Sequence, residues 1–123
     1  MLKVHVKNLE TVTVLCLQGQ IVNGETETLR NTVSSLFQRS AVILDLARVT
    51  TIDAHGLGVM LDLREQAEAE GIRFELMNLT KQLSKVFKLT RLHSVFTISS
   101  GVELFPAVSR DRRETVGELR SCA

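Results

Sequence analysis

The stretch AVILDL, Ala41 to Leu46, constrains the fold more than any other part of the chain. It is apolar at five of six positions, does not alternate, and follows the polar stretch Gln38-Arg39-Ser40. A half-exposed strand alternates, whereas a run of this length without alternation predicts an interior strand covered on both faces. Such a strand needs partners beside it and layers above and below it, which points to a sheet packed with helices.

The flanking segments supply those partners. KVHVKN (residues 3–8) and TVTVLCLQ (residues 11–18) are rich in β-branched residues and read as an N-terminal β-hairpin turning at Leu9-Glu10. Asn23-Gly24 is a turn signal. Beyond it, Leu29, Val33, Leu36 and Phe37 fall at i, i+4, i+7 and i+8, predicting a first helix from Glu25 to Gln38 with acidic residues in its first turn.

Asp53 is a good N-cap for a second helix, whose buried stripe is expected to be Leu57, Met60, Leu61, Leu63 and Ala67. Gly71 closes it. IRFELMN (residues 72–78) alternates as a strand, Thr80 caps a third helix bearing Leu83, Val86 and Phe87, and VFTI (residues 95–98) is a last short strand. The order β-β-α-β-α-β-α-β predicts one α/β domain, a mixed four- to five-stranded sheet with helices packed on it. The domain is expected to span residues 1–108, leaving 109–123 as a polar tail, a weak helix or frayed.

Several function classes are disfavoured. A net charge of +1, with no Trp or Tyr and five Phe, gives neither a basic footprint nor stacking platforms for nucleic acid. No apolar run approaches the ~18 residues of a membrane span, and the N-terminus is charged and alternating, so a cytoplasmic protein is expected. Cys16 and Cys122 make neither a disulfide framework nor a zinc site; a reducing compartment fits, with Cys16 an inert core residue. His5, His55 and His93 are scattered, without metal-ligand spacing, and no metal or cofactor is expected. The Gly56-Leu57-Gly58 fragment lacks the third glycine or Lys-Ser/Thr of a phosphate loop. Asp45 and Asp53 could be imagined as an acid–base pair. Asp53, however, already has work as a cap, and no enzyme is expected.

What remains is the turn TTIDAHGLG, Thr50 to Gly58. A helix N-terminus presents unpaired N–H groups and favours an anion, phosphate included. A hydroxyl directly after Asp53 would be an exposed phosphorylation point, adding roughly −1.5 to −2 charge beside a carboxylate. Ala54 removes it.

At these residues the chain resembles the STAS domain, the fold of bacterial anti-sigma factor antagonists. The resemblance rests on Asp45-Leu46, Ile52-Asp53, Gly56-Leu57-Gly58, Gly71 and Thr90-Arg91-Leu92, and covers about residues 1–108. It implies a non-enzymatic domain that binds a serine-kinase-type anti-sigma factor and is released when the first serine after the Asp is phosphorylated. This sequence departs there: the acceptor position is Ala54, and the second serine is His55.

The departure suggests a binding module fixed in the dephospho-like state. Thr50 and Thr51 are alternative modification sites whose plainer reading is strand residues. His55 is either a modified or pH-sensing residue or an exposed polar one. A STAS scaffold subunit of a larger assembly, stressosome-like or a lipid-transport complex, is the rival reading, and a homodimer is open. The expected partner face comprises Asn23, Gly24, Asp53, Ala54, His55, Gly56, Leu57, Gly58 and Val59. Val59 is assigned there because ideal helix geometry places it about 200° from Leu57.

Overall fold

The computed structural model describes residues 2–9, 12–36 and 41–99. The hairpin turn, the end of the first helix with Phe37, the domain end at 108 and the tail lie outside the described residues. Five strands form one sheet in sequential order: β1 (Lys3–Leu9), β2 (Val12–Ile21), β3 (Ala41–Ile52), β4 (Arg73–Met77) and β5 (Thr97–Ser99). The β1–β2 pair is antiparallel and the other three pairs are parallel. Helices α1 (Glu27–Ser35), α2 (Ala54–Ala69) and α3 (Lys81–Leu89) make the crossovers. The expected mixed α/β domain is what the chain forms.

All three helices lie on one face. Leu29 and Val33 of α1, Val59, Met60, Leu63 and Ala67 of α2, and Leu83 and Phe87 of α3 share one buried cluster with Leu15, Leu17, Val42, Leu44 and Leu76 of the strands. Phe96, just before β5, meets Phe87 edge-on at 5.7 Å between ring centres and Phe74 at 6.5 Å, pinning α3 to the sheet. The opposite face holds a smaller buried cluster of Val14, Cys16, Ile43 and Met77. AVILDL is thus buried on both sides, as its lack of alternation demanded.

Three local expectations need correction. First, β3 does not stop at Leu46 but runs to Ile52. Its pairing with β2 skips one β3 residue between Cys16 and Gln18, and another between Gly19 and Gln20. These bulges space the buried residues Leu46, Val49 and Ile52 three apart instead of two, hiding the strand from a period-two reading. Second, α1 begins at Glu27 after Thr26, because Glu25 donates its N–H to the Val22 carbonyl (2.9 Å) and closes a turn. Third, Cys16 is buried but is not a free thiol.

The caps follow expectation. Thr80 accepts from the Leu83 N–H at 3.2 Å. Gly71, at φ +72°, ends α2 in a Schellman arrangement, with Ile72 N–H donating to Ala67 O (2.8 Å) and Gly71 N–H to Glu68 O (3.1 Å).

Candidate functional site

Where β3 passes into α2, the Asp53 carboxylate holds two segments 30 residues apart in sequence. Its Oδ1 accepts from the Gly56 N–H at 2.8 Å, the N-cap bond of α2. Its Oδ2 accepts from the Asn23 N–H at 3.0 Å. The Asp53 N–H in turn donates to the Ile21 carbonyl at 3.3 Å. The end of β2, the Asn23-Gly24 turn and the start of α2 therefore form one hydrogen-bonded unit. Gly24, at φ +89° in the third position of its turn, supplies the conformation that this turn requires.

Those same bonds favour the ionised form of Asp53. The Asn23 N–H first and the Gly56 N–H second stabilise the carboxylate, holding its pKa below the ordinary value. Asp53 is thus ionised across the physiological range, and its charge sits beside the exposed Ala54 and His55.

A second link runs between helix starts. His55 Nε2 lies 3.3 Å from the Oγ1 of the buried Thr26, the N-cap residue of α1, whose side chain makes no cap bond of its own. One turn further along, Arg30 of α1 reaches Asp62 of α2 at 3.0 Å.

The sequence-predicted residues divide cleanly. Asn23, Gly24, Ala54, His55 and Gly58 are exposed and adjacent, and Asp53 and Leu57 are partly buried within the same surface. Gly56 is buried, and Val59 is 1% exposed, which overturns its placement on an outer face. The buried stripe of α2 is Gly56, Val59, Met60, Leu63 and Ala67. Leu57 and Leu61, expected in that stripe, pack only partly against the core.

The reason lies at Gly56. A Cβ there would stand 2.0 Å from the Ile21 carbonyl oxygen, so the helix backbone sits directly on the end of β2 and turns the 56/59/63 face inward. Two roles escaped the sequence reading: Ile21, whose carbonyl anchors the turn, and Thr26, which meets His55. Both contacts join residues about 30 positions apart, and no local pattern signals them.

Thr50 and Thr51 are exposed residues near the end of β3. Thr50 Oγ1 donates to the Gly19 carbonyl at 3.2 Å. Both line a shallow groove of about 310 Å3 against α3, with Gln82, Val86 and Leu89. Asp45 is separate from Asp53. It is buried on the other sheet face, where desolvation raises its pKa against the Ala47 N–H (3.0 Å) and the Asn78 side chain (3.4 Å). The two carboxylates do not converge on one site. Among the described residues no group of His, Cys, Asp and Glu is arranged to hold a metal, and no helix is long and apolar enough to cross a membrane.

Comparison with known proteins agrees with this architecture. The STAS domain model matches residues 3–108. Similar solved structures include SpoIIAA, described as an anti-sigma factor antagonist in its unphosphorylated form, at 21% identity and a TM-score of 0.70, covering 87% of this chain and 96% of that one. The Bacillus SpoIIAA in its phosphorylated form aligns at 21% identity and a TM-score of 0.65, over 86% and 99%. An anti-sigma factor antagonist from Mycobacterium paratuberculosis aligns at 18% identity and a TM-score of 0.73, over 90% and 96%. At these identities the likeness is one of fold.

Proposed function

The chain belongs to the STAS domain family, and on that premise we propose that it is a non-enzymatic, protein-binding regulator of the anti-sigma factor antagonist type. Its domain, residues 1–108, acts in the cytoplasm and binds a serine-kinase-type anti-sigma factor through Asn23, Gly24, Asp53, Ala54, His55, Leu57 and Gly58. Ala54 keeps it in the state that a dephosphorylated relative would occupy.

One observation carries the reading: the Asp53 carboxylate ties the Asn23-Gly24 turn to the start of α2, making one preorganised surface with Ala54 exposed on it. Preorganisation lowers the cost of association because little chain must be ordered on binding. A methyl group at position 54 leaves that surface intact and offers no oxygen to phosphorylate. SpoIIAA is described in both phosphorylated and unphosphorylated forms, which supports reading the shared fold as one that can carry such a switch.

Incubation with the purified kinase partner and ATP tests this. The protein should stay unphosphorylated and bound, whereas Ala54→Ser should become a phosphate acceptor and dissociate. Phosphate on Thr50, Thr51 or His55 by mass spectrometry would refute the fixed state. Ala54→Asp should weaken binding about tenfold or more, since a like charge at an interface costs over ~1.4 kcal/mol. Unchanged affinity by calorimetry would place the partner elsewhere.

A further inference from the structure

Helix α3 and its flanks carry charge of one sign. From Leu76 to Ser99 the sequence holds three lysines and one arginine and no Asp or Glu, in a chain whose net charge is only +1. Lys81, Lys85, Lys88 and Arg91 are all exposed, and none of them is in an ion pair among the described residues.

The three lysines are placed, not scattered. At about 100° per residue, Leu83 and Phe87 point into the core and Gln82, Val86 and Leu89 share the adjoining sector. Lys81, Lys85 and Lys88 fill the sector beyond that, as one row along the helix.

The middle sector fronts the groove noted above. Strand β4 flanks β3 only from Ala41 to Asp45. Further along, at Thr50 to Ile52, the neighbour of β3 is α3, across a groove of about 310 Å3. Its helix wall is Gln82, Lys85, Val86 and Leu89. Leu89 is 80% exposed, the most exposed large apolar side chain among the described residues. A lone exposed leucine needs no explanation. This one forms the wall of a cleft whose rim is a row of cations without partners among the described residues.

We infer that this groove is a second docking surface, distinct from the face around Ala54, and that it takes an acidic amphipathic segment of a partner protein. An apolar side chain of that segment enters the cleft against Val86 and Leu89, and its carboxylates meet Lys81, Lys85 and Lys88. Two features select this occupant. The rim has one sign of charge and no acidic residue lines the cleft, so the complement is an anion. The apolar wall is recessed between a strand and a helix, so a protruding side chain reaches it and a flat bilayer does not. Phe74, Phe87 and Phe96 are buried, which leaves no ring beside the lysines on which a nucleic-acid base could stack.

The test uses the full chain as bait for a phage-displayed library of random dodecapeptides. Counter-selection is against the double variant Lys85→Glu, Leu89→Gln. Enriched peptides should combine Asp or Glu with Leu, Ile or Phe, and synthetic labelled copies should bind the parent in fluorescence anisotropy. The double variant should weaken them about tenfold or more, as should Thr51→Arg, which fills the cleft from the β3 wall. Circular dichroism and the urea midpoint should be unchanged in both, since all three positions are exposed. Raising the salt should weaken the parent complex more than the Lys85→Glu complex, because rim charges are screened. No enrichment, enriched peptides without acidic residues, or affinities indifferent to both variants would each overturn the proposal. So would flotation of the chain with phosphatidylserine vesicles that Lys85→Glu abolishes, which assigns the surface to lipid. Self-association in sedimentation that the same variants abolish would assign it to a second copy and overturn it equally.

Discussion

Gly56→Ala and Gly58→Ala make the same chemical change two residues apart and should move stability in opposite directions. On helix propensity alone each would gain about 1 kcal/mol, the difference between Gly and Ala in a helix. At Gly58 that gain is unopposed, since an added Cβ meets nothing within 4 Å. At Gly56 the new carbon would lie 2.0 Å from the Ile21 carbonyl oxygen and 2.9 Å from its carbonyl carbon. Both neighbours are backbone, so no side chain can swing away, and α2 must lift by more than 1 Å.

Overpacking of this kind costs ~1–3 kcal/mol. Lifting the helix also strains the Asp53 contacts to Asn23 and Ile21, and lost hydrogen bonds of that type weigh about 1 kcal/mol each. The sum outweighs the propensity gain. Gly56→Ala should lose about 2–3 kcal/mol and Gly58→Ala should gain about 0.5–1. Urea unfolding followed by far-ultraviolet circular dichroism is the assay, because the chain has no Trp or Tyr to report by fluorescence. Equal midpoints for the two variants, or a Gly56→Ala variant as stable as the parent, would refute the account of how α2 docks.

Other measurements probe separate parts of the argument. Asp53 has a folded-state pKa below its unfolded value, so its contribution to stability is present above the ordinary carboxylate range and is lost as pH falls through the depressed folded value. Unfolding midpoints compared between pH 2 and 6 should show this acid loss in the parent, and Asp53→Asn should flatten it. Leu63→Ala removes a fully buried side chain from the inner stripe of α2 and should cost ~2–5 kcal/mol in urea titration. Arg30→Ala breaks a surface pair with Asp62, both partners more than a third exposed, and should cost no more than about 0.5 kcal/mol in the same assay.

Much of the molecule was legible without coordinates because its signals are local. The element order, the caps at Asp53 and Thr80, the helix stop at Gly71 and the double burial of AVILDL each follow from a few neighbouring residues and their backbone preferences. The same short-range pattern carried the resemblance to the STAS family and put Ala54 directly after the capping Asp. Tertiary structure decided what local pattern leaves degenerate. Helix α2 has apolar residues on two adjacent faces, and only the close approach of Gly56 to Ile21 chose which faces inward, burying Val59. The β3 bulges disguised half a strand, because register is fixed by the partner strand and not by the strand itself. The bond from Asn23 to Asp53 spans 30 residues, and such a contact exists only after the sheet has brought its ends together. Local sequence thus determined the parts and the altered residue, while long-range packing determined which of them share a surface.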